Sequence, residues 1–154
     1  MNKGLIIILC SFGMLLSCSN DTSYPYTNGL SLYLEEVHHF LPDAKDEVIY
    51  YITPLDGCDY CVEQNLLVLA RNTNEAVIPI LIDYSYNKDY LKIAQKVKEN
   101  HKTYFEDLDS KIKNYQTGYI NPVLIHFKNG KCLNYMEIQD GDISTAEKYL
   151  KSVE

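Results

Sequence analysis

The sequence predicts an α/β domain built on a four-stranded mixed sheet, with elements in the order β-α-β-α-β-β-α behind an extra N-terminal helix. Three observations predict it. Two apolar, β-branched runs, Val48 to Thr53 and Ala76 to Asp83, flank a stretch of helical period,. A second helical stretch then leads to a pair of short strands joined by Asn129-Gly130, the strongest short hairpin signal in the chain,. Alternation of strand and helix indicates parallel pairing through right-handed crossovers, and the tight turn indicates an antiparallel hairpin after it.

The elements follow in order. Leu30, Leu32, Leu34, Val37, Phe40 and Leu41 have partial helical spacing and stop before Pro42, so they predict a short helix,. Val48 to Thr53 is rich in β-branched and aromatic residues and reads as a buried strand,. Gly57 and Cys58 open the next helix. Val62, Leu66, Leu69 and Ala70 form its core stripe and Asn72 marks its end,. Ala76 to Asp83 is the second strand. Pro79 cannot donate to a ladder, which predicts a position at the sheet edge,. Tyr90, Ile93, Ala94 and Val97 mark one helical face, which Tyr104, Phe105, Leu108, Ile112 and Tyr115 continue after a break near Asn100,. Val123 to Phe127 and Lys131 to Ile138 are the hairpin strands. Ile143, Ala146, Leu150 and Val153 predict a closing helix, with Asp142 or Ser144 as its cap,.

Composition bounds the function. The chain has 154 residues, which sets a prior of one domain,. A net charge of -7 argues against nucleic acid as a main partner, because phosphate binding needs a basic face,. Five cysteines are too few and too unevenly spaced for a disulfide-stapled miniprotein,.

The first residues read as an address. Lys3 precedes an apolar run from Leu5 to Leu16 that is too short to span a membrane,. The run ends Leu15-Leu16-Ser17-Cys18, which resembles the bacterial lipobox. The resemblance implies removal of residues 1–17 as a lipoprotein signal peptide and acylation of Cys18. Loss of Lys3 then takes the charge from -7 to -8, and 154 − 17 leaves 137 residues. Several acyl chains on one cysteine suffice for stable anchoring. Residues 18–29 are polar, with Pro25 and Gly29, and read as a tether to a domain over 30–154,. The expected location is the bacterial envelope, lipid-anchored and facing the periplasm, where disulfides persist. An ordinary secretory signal with an incidental Cys18 is the alternative.

Cys58-Asp59-Tyr60-Cys61 carries the chemistry. At a helix start the first cysteine faces unpaired N–H groups and the positive end of the dipole, which favour a thiolate. Two intervening residues let the second sulfur close a disulfide. The position suits thiol–disulfide exchange.

Here the chain resembles the thioredoxin-like family over roughly residues 47–154. The C-x-x-C motif follows the first core strand, the element order is the family core, and Ile120 to Lys131 looks like the family's cis-proline segment and hairpin. The resemblance implies a three-layer α/β/α sandwich with the Ala76 to Asp83 strand at its edge. It makes Cys58 the exposed nucleophile and Cys61 the more buried resolving cysteine. Pro122 becomes a cis-proline facing them, and Asn121 offers its backbone to an extended substrate, with Asp59 and Tyr60 also meeting the substrate. It implies no metal or organic cofactor, protein thiol or disulfide substrates, and an electron-exchange partner protein. The chain also departs from the pattern. Gly57 replaces the frequent Trp. Ile52 stands where the thioredoxin branch has a buried acid. Asp56 is a candidate in its place but sits in a loop, so the proton-transfer partner of Cys61 is unassigned, with water as the fallback. Asp56 and Asp59 place negative charge beside Cys58, which leans the pair toward a reductant.

Other readings stand beside this one. Cys58 and Cys61 can be half of a zinc site, but no second C-x-x-C supplies the rest,. They can form a permanent disulfide in a redox-silent binding module. Cys132 reads as a small buried hydrophobe, His38-His39 as a helix end, His126 as outward-facing, and the Tyr84-Tyr86-Tyr90 cluster as corner packing,.

Overall fold

The computed structural model describes residues 24–43, 45–139 and 141–153. The leader and Cys18 lie outside the described residues. Among those described, no helix is long and apolar enough to cross a membrane.

The elements are α1 (Thr27–His38), β1 (Glu47–Pro54), α2 (Asp59–Arg71), β2 (Val77–Ile82), α3 (Lys88–Asn100), β3 (Phe105–Asp107), a 3-10 helix (Lys111–Asn114), β4 (Val123–Lys128), β5 (Lys131–Glu137) and α4 (Ile143–Ser152). The sheet has five strands in the order β3-β2-β1-β4-β5. β1–β2 and β2–β3 are parallel, while β1–β4 and β4–β5 are antiparallel.

β1 lies at the centre, and Val48 to Thr53 are all buried, as a strand covered on both faces requires,. Its side chains alternate between two cores. Ile49 and Tyr51 face α2, α3 and α4. Val48, Tyr50 and Ile52 face α1 and the 3-10 helix. The sandwich is therefore three layers deep. The crossovers through α2 and α3 step in the same direction across the sheet, so one crossover hand places both helices on one face,.

Several expectations need correcting. The helical face does not continue past Asn100: Phe105–Asp107 is a strand and Lys111–Asn114 a 3-10 helix. A sheet of five strands replaces the four expected, and β3 takes the edge assigned to β2. Pro79 tolerates this because of its parity. Ile49 N–H donates to the Ala76 carbonyl and Leu55 N–H to that of Ile82, so the even-numbered residues of β2 face β1. Pro79 faces the other side, one residue before the β3 ladder begins at Ile80,. Its missing N–H costs no ladder bond. Finally, packing begins before Leu30. Tyr24 is buried and its hydroxyl donates to the Thr117 carbonyl, so the tether ends short of it.

The hairpin turn forms as expected. Asn129 and Gly130 have φ of 52° and 70°, the left-handed pair of a type I′ turn,. His126 departs from the outward default. It is buried, with Nδ1 at 2.7 Å from the Tyr149 hydroxyl and Nε2 at 3.0 Å from Glu47. Both ring nitrogens have partners, which makes its burial tolerable.

Asp107 ties the new strand to its surroundings. Its buried carboxylate accepts from Ile112 N–H at 2.7 Å, Lys111 N–H at 2.8 Å and the Tyr33 hydroxyl at 3.1 Å. Asp107→Ala leaves these donors without an acceptor. At about 1–3 kcal/mol for each unsatisfied buried group, the expected loss is roughly 3 kcal/mol in urea denaturation. A loss below about 1 kcal/mol would show that water replaces the carboxylate.

Candidate functional site

The C-terminal ends of parallel strands share one edge of a sheet, and the loops leaving them meet there. Pro54 of β1 lies opposite Ile82 of β2. The chain leaving β1 turns at Gly57, whose φ of 112° strains any side chain-bearing residue,. That turn delivers Cys58 as the N-cap of α2. The sequence departure at Gly57 thus has a backbone reason.

Cys58 is exposed and Cys61, one turn on, is half-buried. Their sulfurs are 2.7 Å apart and are not joined as a disulfide. Cys61 is held from below. Its carbonyl accepts from the Asn65 amide at 2.7 Å, and the Asn65 carbonyl oxygen accepts from the buried Tyr51 hydroxyl at 2.6 Å. The Tyr90 hydroxyl donates to the Asp59 carbonyl at 3.0 Å, pinning the first turn of α2 to α3.

An open cleft of about 840 Å³ runs beside the two cysteines. Asn121 and Pro122 lie on its wall, so the structure brings together four of the sequence-predicted site residues. The Pro122 carbonyl accepts from Ile138 N–H at 2.7 Å, which fixes this segment to the end of β5. The Asn121–Pro122 bond is trans, correcting the cis isomer expected from the resemblance. Trans is the lower-energy state of an X-Pro bond by about 0.5–1 kcal/mol. Asp59 and Tyr60 are not part of the cleft lining. Tyr60 is 62% exposed and borders a separate groove along α2 with Ile143 and Ser144. Tyr84 and Tyr86 are exposed too, their rings 4.9 Å apart, rather than packed into the corner.

The cleft also holds residues the sequence reading did not single out: Asp83, Lys113 and Tyr119. Asp83 follows β2 with φ of 66°, a conformation Asp tolerates better than most residues,. Its carboxylate lies 3.4 Å from Lys113 Nζ. Burial, then the Asp56 charge, pushes the Asp83 carboxyl above the usual carboxylate range, against the pull of Lys113,. Parallel pairing of β1 with β2 brings the acids that follow both strands to one end of the sheet, a consequence of register that no local motif signals.

Cys132 is half-buried on β5, where its thiol donates to the Asn134 carbonyl at 3.3 Å. Burial pushes its thiol up, away from the thiolate,. Among the described residues, no three His, Cys, Asp or Glu side chains are grouped to hold a metal ion.

No protein-family model matches the sequence, and neither does any curated protein. Several solved structures are similar. One is a secreted Mycobacterium tuberculosis disulfide oxidoreductase homologous to E. coli DsbE, 13% identical, with a TM-score of 0.48 over 71% of this chain and 82% of that one. Another is an uncharacterized thioredoxin-like protein from Porphyromonas gingivalis, 16% identical, with a TM-score of 0.41 over 73% and 78%. A third is the thioredoxin domain of a Bacteroides vulgatus thiol-disulfide oxidoreductase, 18% identical, with a TM-score of 0.39 over 70% and 82%. The chemistry of the site follows from its own atoms.

Exposure orders the thiols. In limited alkylation with iodoacetamide, read by peptide mass spectrometry, Cys58 is expected to react first and Cys132 last,. Reaction at Cys132 ahead of Cys58 would contradict this geometry.

Proposed function

We propose that this chain is a thioredoxin-like thiol–disulfide oxidoreductase. One observation carries the reading: the N-cap residue of a helix bears an exposed thiol that touches a second, half-buried thiol and opens on a cleft walled by Asn121 and Pro122. The first sulfur is accessible to an incoming disulfide. The second is close enough to displace whatever the first captures.

The reaction follows from that asymmetry. Cys58 Sγ, as thiolate, attacks one sulfur of a substrate disulfide, and the other leaves as a thiolate. A mixed disulfide joins Cys58 to the substrate. Cys61 then loses its proton and attacks Cys58 Sγ. The Cys58–Cys61 bond forms, the substrate leaves as its second thiolate, and two electrons have passed from the dithiol to the substrate. A partner protein returns the electrons. The substrate is a protein disulfide, since the open cleft admits an extended chain along Asn121 and Pro122. Asp56 and Asp59 beside Cys58 favour a reductant. The reading extends to a lipid anchor at Cys18 in the bacterial envelope, supported by the lipobox-like end of the leader.

The reduction potential of the Cys58–Cys61 pair, equilibrated against dithiothreitol with Cys58→Ser as control, tests the chemistry. A value between roughly −120 and −270 mV, toward the negative end, is expected. A pair that forms no disulfide, or resists reduction below about −300 mV, would leave a redox-silent binding module instead. The anchor is tested separately. Cys18→Ser is expected to move the protein from the membrane fraction to the soluble one and to abolish labelling by a radioactive fatty acid. Unchanged labelling would refute acylation there.

A further inference from the structure

The face of the sheet turned away from α2 and its cysteines has an opening of its own. α1 packs on β1 there, and a cavity of about 210 Å³ lies between them. Leu30 and Leu34 of α1, Val48 and Tyr50 of β1 and Phe127 of β4 line it. An apolar cavity of about 150 Å³ stays dry and takes up benzene. This one therefore has room for a six-membered ring with a short arm.

One polar group interrupts this lining. Tyr50 is 2% exposed, and its hydroxyl is sealed from solvent without a hydrogen-bond partner. A buried hydroxyl in that state is costly and uncommon. Thr53, the other described side chain that shares it, lines neither this cavity nor the cysteine cleft. Burial keeps the Tyr50 phenol neutral, so it can donate or accept,. The mouth adds charge. Asp43 and Asp46 border the cavity and are exposed. Asp43 accepts from Lys45 N–H at 3.0 Å, and Asp46 accepts from Asp43 N–H at 3.1 Å, which holds both carboxylates in one turn. Among the described residues, neither is ion-paired with a lysine or arginine.

We propose that this cavity binds a small phenolic amine, with its ring among the apolar side chains, its hydroxyl on that of Tyr50 and its ammonium at Asp43 and Asp46. The three features select together, as in an apolar pocket with a few placed polar groups. The apolar walls alone would take any ring of the right size. The carboxylates alone would attract any cation, weakly, because they are exposed. The unpaired hydroxyl asks for a polar atom on the ring, where an ordinary apolar ligand has none. A phenol joined to an ammonium by a short chain carries its two polar ends on opposite sides of the ring. That matches a hydroxyl within the cavity and carboxylates at its mouth. The site lies on the layer opposite α2, so it stands whether or not the cysteines exchange disulfides.

Tyramine is the probe, titrated calorimetrically into the full chain at pH 7 and low ionic strength. One site with a dissociation constant of roughly 0.1–1 mM is expected for a ligand of this size. 2-Phenylethylamine lacks the phenol hydroxyl and 4-ethylphenol lacks the ammonium, and each should bind about fivefold more weakly or worse. Tyr50→Phe should weaken tyramine about fivefold and leave 2-phenylethylamine unchanged. It should melt no lower than the parent, since no hydrogen bond is lost, which shows that the variant folds. Asp46→Asn should weaken both amines and leave 4-ethylphenol unchanged. Ser31→Leu, at an exposed lining position on α1, should weaken all three by obstructing the mouth. No binding of tyramine to the parent, or equal affinity for the three probes, would overturn the proposal. So would a Tyr50→Phe variant that loses tyramine and 2-phenylethylamine alike, or tyramine binding that Ser31→Leu leaves intact, which would place the amine elsewhere on the surface.

Discussion

The parallel pairing of β1 with β2 is the constraint on which the rest depends. Its register sets Pro54 against Ile82, and the Leu55 amide continues the ladder to the Ile82 carbonyl. Everything chemically notable leaves from that end. Asp56, Gly57 and Cys58 come from β1, and Asp83 comes from β2. A one-residue slip would turn every side chain of β1 to the opposite face. Such a slip is strongly opposed, because both faces of β1 are buried against different partners: Ile49 and Tyr51 on one side, Tyr50 and Ile52 on the other. The apolar strand that gives the domain its centre therefore also fixes which loops meet.

The third parallel strand shows how a short segment enters such a frame. Phe105–Asp107 adds only three residues to the sheet, and each is tied outward: Phe105 stacks on His38, Glu106 pairs with Lys98 at 2.6 Å, and Asp107 is buried in a hydrogen-bond cluster. That carboxylate gathers the start of the 3-10 helix and the α1 hydroxyl of Tyr33, while its backbone carbonyl accepts from Asp83 N–H at 3.0 Å. The same residue thus holds the segment carrying Lys113 and the residue carrying the cleft carboxyl. Ion pairing of Lys113 with Asp83 depends on this scaffold more than on the exposed lysine itself, because exposed pairs contribute little on their own,.

The strands, the helix behind Cys58 and the hairpin were legible because each rests on a local signal of the correct period: β-branched runs for β1 and β2, the spacing of Val62, Leu66 and Leu69 for α2, Asn129-Gly130 for the turn. The segment after Asn100 was not. Tyr104, Phe105, Leu108 and Ile112 fall at helical intervals, yet β2 had an open edge there, and pairing with it satisfies backbone groups that a surface helix turn does not,. Pro79 misled for a related reason. It forbids a ladder bond at one residue, not a neighbouring strand. Of the site, Cys58, Cys61, Asn121 and Pro122 were legible from motif and resemblance. Asp83 and Lys113 were not, since they are 25 and 55 residues beyond Cys58 by number and reach the cleft only through strand register and the 3-10 helix. His126 read as surface because alternation alone cannot show that Glu47 and Tyr149 wait beneath it.

The two cysteines differ because their supports differ. Cys58 sits where helical geometry begins, after a glycine turn at positive φ, and its side chain is open to solvent. Cys61 sits one turn inside, over a buried relay from Tyr51 to Asn65 to its own carbonyl. That relay anchors the backbone of the second cysteine to the central strand. The Tyr90 hydroxyl bonds the first turn of α2 to α3 as well, and the cleft walled by Asn121 and Pro122 opens beside both cysteines. In the proposed exchange, a partner captured by Cys58 would lie over a sulfur whose backbone is already held in place. Rigidity in Cys61 and exposure in Cys58 are what an exchange reaction needs in that order: the first sulfur must be found, and the second must already be in place.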